Sequence, residues 1–186
     1  WQEASETFQK AVSIQPELAE AHCNLGVAFE KQGRLDDAMR SYKKALALKP
    51  DYAEAWSNYG TILQEIGQLD EAITYYQKAI ELKSDYPDAH INLGNALKDL
   101  GGLDDAVSSY KKALVLDRDY VESHNSLGNA MQELGRTEEA IVSYQKALDL
   151  KADYAEQFGK FSAMLQGQGR RDLAAEVDQH AGAQSV

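Results

Sequence analysis

Residues 55–86 read AWSNYGTILQEIGQLDEAITYYQKAIELKSDY, and the frame returns as AHCNLGVAFEKQGRLDDAMRSYKKALALKPDY at 21–52, AHINLGNALKDLGGLDDAVSSYKKALVLDRDY at 89–120 and SHNSLGNAMQELGRTEEAIVSYQKALDLKADY at 123–154. Gly26, Gly60, Gly94 and Gly128 fall 34 residues apart, and Ala38, Ala72, Ala106 and Ala140 keep the same step. Self-similarity at such a period marks a stacked repeat array, in which each copy buries its apolar face only against its neighbours. Outward from these copies, Trp1, Ala4, Phe8, Ala11 and Pro16 match Leu35, Ala38, Tyr42, Ala45 and Pro50. Residues 1–18 therefore read as the second helix of a repeat whose first helix is cut away. Full copies are expected at 19–52, 53–86, 87–120 and 121–154. A degenerate copy or cap follows at 155–186, where Ser162 replaces the glycine, Asp178 the second-helix aromatic and Gln157 a small apolar residue. The whole of 1–186 reads as one array.

The residues of a copy predict a pair of helices. Asp51, Asp85, Asp119 and Asp153, or the set Glu20, Glu54, Asp88, Glu122 and Glu156 just after them, put negative charge where a helix dipole favours it, at the first helix's start. Gly33, Gly67, Gly101, Gly135 and Gly169 stand where that helix should end in a left-handed turn. Acidic pairs such as Asp36 and Asp37, or Asp70 and Glu71, open the second helix. Gly26, Gly60, Gly94 and Gly128 are expected to face Ala38, Ala72, Ala106 and Ala140, so that the two axes approach closely. A glycine inside a helix costs about 1 kcal/mol against alanine, and close packing is the compensation. The stripe Tyr42, Tyr76, Tyr110 and Tyr144 reads as core, and Tyr52, Tyr86, Tyr120 and Tyr154 as apolar staples at the next helix start.

Trp56, Tyr59, Gly60, Leu63, Ala72, Tyr76 and Ala79 carry the pattern of the tetratricopeptide repeat, and the chain resembles that family without an insertion from residue 1 to about 181. The family's terminal proline is present only as Pro16 and Pro50; Ser84, Arg118 and Ala152 replace it. The resemblance implies an all-α fold, a right-handed superhelical solenoid of antiparallel helix pairs whose first helices line a concave groove. Such scaffolds serve many different partners, so the fold alone does not specify function.

Composition narrows the partners. Lys and Arg number 19 against 30 Asp and Glu, a net charge of -11. That balance argues against nucleic acid or an anionic membrane and favours a neutral-to-basic polypeptide. Cys23 is the single cysteine, which leaves no disulfide framework or thiolate cluster, and no apolar run reaches membrane-span length. A cytoplasmic location is the weak expectation. His22, His90 and His124 share one repeat position, and packed helices lie roughly 8 to 10 Å apart, so a row of this kind cannot converge on one metal. They read as half-buried histidines where the family has tryptophan. No nucleophile, base and orienting group form a unit, and the periodic glycines are not a phosphate loop. The expectation is no enzyme, no cofactor and no metal.

What remains is the groove. The family resemblance turns the second, fifth, sixth, ninth, twelfth and thirteenth positions of each copy inward. The sixth holds Asn24, Asn58 and Asn92, then Ser126 and Lys160; the ninth holds Val27, Thr61, Asn95 and Asn129; the fifth holds Cys23, Ser57, Ile91 and Asn125. The asparagine row is similar to the ladder of O-linked N-acetylglucosamine transferases, whose amides grip a peptide main chain. An amide offers both a donor and an acceptor, which suits a peptide unit. The alternative is that these amides tie repeat to repeat. Acidic Glu54, Asp88 and Glu122 at the second position would select basic ligands and repel the terminal carboxylate that chaperone-clamp repeats bind. Three readings follow. The first is a scaffold binding an extended polypeptide, and the second a substrate-presenting arm of a larger enzyme such as a glycosyltransferase. The third is a self-assembly scaffold that covers the face of Ala4, Phe8 and Ala11 with another copy.

Overall fold

A computed structural model describes residues 1–151 and 155–183. The described residues form eleven α-helices: α1 (Gln2–Ile14), α2 (Ala19–Glu30), α3 (Leu35–Leu48), α4 (Ala53–Glu65), α5 (Leu69–Leu82), α6 (Pro87–Asp99), α7 (Leu103–Leu116), α8 (Val121–Glu133), α9 (Thr137–Leu150), α10 (Ala155–Gly167) and α11 (Arg171–Ala183). They fall into two compact units that divide between Leu100 and Gly101. In the first unit α2 packs on α3 and α4 on α5, α6 packs on α5, and α4 also touches both α2 and α6. In the second unit α8 packs on α7 and α9, and α10 on α11.

The turn inside each pair is fixed by one glycine. Gly33, Gly67, Gly101, Gly135 and Gly169 have φ of 71°, 79°, 91°, 72° and 77°, a region closed to most side chains. The backbone N–H after four of them reaches back to a carbonyl of the preceding helix, Arg34 to Phe29 at 2.9 Å, Gln68 to Leu63 at 2.8 Å, Arg136 to Met131 at 2.9 Å and Arg170 to Leu165 at 2.9 Å. These bonds occupy carbonyls that the helix end leaves without partners.

The helix starts carry the expected negative charge, in the first turn rather than ahead of it. Tyr52, Tyr86 and Tyr120 are themselves the N-cap residues of α4, α6 and α8, and none of these helices has a side-chain cap bond. The acidic residues that meet the helix dipole are Glu20, Glu54, Asp88, Glu122 and Glu156, all in the first turn. Asp51, Asp85 and Asp119 precede the cap, and Asp153 and Tyr154 lie outside the described residues.

One correction concerns the helical glycines. For Gly26, Gly60 and Gly128 the nearest neighbour is a tyrosine ring rather than the alanine one turn earlier. A Cβ on Gly26 would lie 2.5 Å from the Tyr42 ring, one on Gly60 2.9 Å from Tyr76, and one on Gly128 2.7 Å from Tyr144. The alanines are nevertheless core, since Ala38, Ala72, Ala106 and Ala140 expose no surface. The tyrosine stripe is core as expected, with Tyr42, Tyr76 and Tyr110 among the largest fully buried side chains. In the degenerate copy Ser162 occupies the glycine position, and its buried hydroxyl donates to the Ala174 carbonyl at 3.4 Å, linking α10 to α11 where a ring would otherwise sit. The side chain of Gln157 lies outside the described residues.

Candidate functional site

Asn24, Asn58 and Asn92 occupy one register on α2, α4 and α6, which lie side by side in the first unit. Asn24 is exposed and the other two are half-buried. The Asn58 amide donates to the buried Cys23 thiol at 3.8 Å, so one of its two N–H groups links α4 to α2. Cys23 also lies beside the Tyr52 hydroxyl, and burial pushes its thiol up from the ordinary value. Tyr86 repeats this contact one copy on, against Ser57. The end-of-repeat tyrosines therefore reach back to the fifth position of their own copy, which is more than a staple does.

The remaining asparagines behave differently. Asn95 is half-buried on α6 and engaged in an interaction. Asn129 on α8 shares the one Tyr144 hydroxyl proton with Gln132, at 2.6 and 2.9 Å, which turns its oxygen toward the core. Asn125, also on α8, has a buried Oδ1 with no hydrogen-bond partner among the described residues.

The acidic row is partly neutralised within the fold. Lys83 Nζ donates to Glu54 at 2.9 Å, and Lys49 to Glu20 at 3.0 Å, each joining the start of a first helix to the end of its own second helix. The hydrogen bond from Lys83 holds the Glu54 carboxyl below the usual carboxylate range, against the opposing effect of burial. The same lysines lie over rings, Lys49 at 4.7 Å from the Tyr52 centroid and Lys83 at 4.8 Å from that of Tyr86. Asp88 and Glu122 are exposed on α6 and α8.

Two hydrogen-bond patterns recur that spacing alone did not indicate. The buried tyrosine hydroxyl donates to the twelfth position of the first helix, Glu30 for Tyr42 at 2.9 Å, Gln64 for Tyr76 at 3.0 Å and Gln132 for Tyr144 at 2.9 Å. A polar residue on a helix face that packs on tyrosine was the available signal. The second pattern explains the histidines. Trp56 Nε1 donates to the Pro50 carbonyl at 2.8 Å, and the Nε2 of His22 and His124 make the same bond to Pro16 and Arg118, each at 2.9 Å. A carbonyl only accepts, so each of these imidazoles carries its proton on Nε2. Tryptophan and histidine are interchangeable here because each presents a ring N–H to the end of the preceding helix. His90 is buried at the same register. Among the described residues no three His, Cys, Asp or Glu side chains come together to hold a metal, and no helix is long and apolar enough to cross a membrane.

This arrangement is a packed helix-pair scaffold with polar rows on its first helices, and comparison with known proteins agrees. Tetratricopeptide repeat models match residues 19–52, 41–74 and 121–154, and a TPR repeat model matches 1–33, 60–101 and 94–135. The chain belongs to the tetratricopeptide repeat family. Among solved structures it is similar to a crystal structure of MamA, at 28% identity over 82% of this chain and 89% of that one with a TM-score of 0.72. A second MamA structure gives 24% identity, coverage of 91% and 93%, and a TM-score of 0.78. YrrB, described as a TPR protein with an unusual peptide-binding site, gives 23%, 97% and 93%, and 0.76. No significant match is found among curated protein sequences. The fold is thus the all-helical tetratricopeptide solenoid.

Proposed function

We infer that the chain is a protein-interaction scaffold that holds an extended, neutral-to-basic polypeptide along the first-helix face of its first unit. The observation that carries this reading is the common register of Asn24, Asn58 and Asn92 on three adjacent helices. With first helices roughly 10 Å apart and an extended strand rising about 3.3 Å per residue, one amide meets every third residue of the ligand. Asn58 keeps its oxygen and one N–H for this purpose after its contact with Cys23. The likeness to the transferase ladder supports main-chain readout, and the peptide-binding description of YrrB belongs to a protein of the same fold. The net charge of -11 sets the sign of the preferred ligand.

The test is fluorescence anisotropy with a panel of labelled, unstructured peptides of equal length, some neutral and some lysine-containing. Replacing Asn24, Asn58 and Asn92 together by alanine should weaken the whole panel. At about 0.5 to 1.5 kcal/mol per hydrogen bond, the loss is on the order of 10- to 1,000-fold. Replacing Asp88 by asparagine should weaken only the lysine-containing peptides, and less so at high salt. Normal binding by the triple variant would assign the row to architecture.

A further inference from the structure

The face made by the second helices is filled by aromatic rings at one repeat of the first unit and open in the second unit. In the first unit Tyr75 on α5 sets its ring edge-on against Trp56 and Tyr59 on α4, with centroids 5.0 and 4.9 Å apart. Lys43 on α3 brings its ammonium to 5.8 Å from the Tyr59 centroid. Three rings and a cation thus occupy the trough that α3 and α5 form over α4. Two repeats further along, the positions of Tyr75, Trp56, Tyr59 and Lys43 hold Ser143, His124, Leu127 and Lys111. Two adjoining clefts of about 360 and 310 Å³ open there, sharing Leu127, Val142 and Ser143. Met131 and Lys111 line one of them, and His124 and Lys146 the other. Val142 on the rim is 66% exposed. An apolar concavity with a few placed polar groups is the usual form of a binding site.

We propose that this trough receives an aromatic side chain carried beside a carboxylate on a partner polypeptide. Tyr75 is the internal precedent for shape, since it shows what the same helix geometry accommodates when a ring is supplied. Charge selects the flanking group. Glu139 is held by Arg136 through bonds of 2.6 and 2.7 Å, Glu138 by Arg170 at 2.8 Å, and Asp149 is also engaged. Among the described residues Lys111 and Lys146 form no salt bridge, and Lys111 acts on Glu139 only at a distance, so these two ammonium groups are the cations a ligand meets in the clefts. Lys111 stands where Lys43 faces a ring, and an ammonium over a π face is attractive. Lys146, on the wall of the other cleft, complements the neighbouring carboxylate. This occupant is independent of the asparagine row, which lies on other helices.

The experiment titrates the methyl-labelled protein by NMR with two capped peptides, acetyl-Asp-Tyr-Asp-amide and acetyl-Asp-Ala-Asp-amide. The tyrosine peptide should shift the methyls of Leu127, Met131 and Val142 saturably and bind about tenfold more tightly than the alanine peptide. Ser143→Tyr, which restores the ring of the first unit, should abolish these shifts. Val142→Glu, at an exposed position that spares the core, should do the same without disturbing the rest of the spectrum. The proposal is overturned if the two peptides bind alike or if the shifts persist in both variants. It is also overturned if the methyls broaden with protein concentration in the absence of peptide, which would place a second copy of the chain in the trough.

Discussion

At the scale of single residues, the pairing of glycine with tyrosine is the most exacting contact in the repeat. Tyr42 is fully buried and its hydroxyl is tied to Glu30, so the ring has little freedom to move when a methyl group appears at Gly26. Two effects compete in Gly26→Ala. Helix propensity favours alanine by about 1 kcal/mol, whereas overpacking a core costs about 1 to 3 kcal/mol, and the projected 2.5 Å approach places this site at the upper end. A net loss of about 1 to 2 kcal/mol is expected as a lower urea midpoint; an unchanged or raised midpoint would show that the ring gives way. The sequence displayed both columns of this contact, the alanine and the tyrosine, at a constant distance from the glycine. They lie one turn apart on the same face of the second helix, so spacing alone could not decide which of them the glycine touches.

At the scale of the helix pair, the buried phenols link stability to alkaline pH. Burial pushes the Tyr76 hydroxyl up to about 12, while its bond to Thr61 works in the other direction. Burial also raises Tyr42 and Tyr144, further still. In the unfolded chain these phenols titrate near 10. Above that pH the folded state holds protons that the unfolded state has lost, so stability is complete below pH 10 and falls as pH rises toward 12. Urea midpoints that decline over this interval, together with phenolate absorbance that appears on unfolding, are the expected result. Early titration of all tyrosines with the helices intact would contradict it. The turns between helices were legible because glycine has a positive-φ role that few residues share, as Gly33 and Gly67 illustrate. The caps were less legible. An aspartate before a helix normally reads as its N-cap, but here Tyr52 takes that place because its ring and hydroxyl are drawn to Cys23 and Lys49. The asparagine row could be read as a row, but the partner of Asn58 is on a neighbouring repeat and depends on side-chain direction. The trough beside Ser143 was hidden because the column reads Ser41, Tyr75, Ser109 and Ser143, in which tyrosine looks like the exception rather than the plug.

At the scale of the molecule, contacts within each unit run mainly between helices that are near in sequence, so a local defect should spread only to its neighbours. Gly128→Leu forces α8 from Tyr144, and amide exchange should quicken in α7 through α10 while α1 through α4 keep their protection. Uniform acceleration along the chain would mean one cooperative unit instead. The ring N–H bond from Trp56 to the end of the preceding second helix bears on how such events can be followed with light. The chain has two tryptophans, and Trp1 is 64% exposed, so its indole emission is already that of a solvated ring and scarcely changes when the helices melt. Trp56 is half-buried, bonded to the Pro50 carbonyl and set edge-on to Tyr75. The spectral shift of the native protein therefore comes from one indole, and the second repeat carries its own optical reporter without any label.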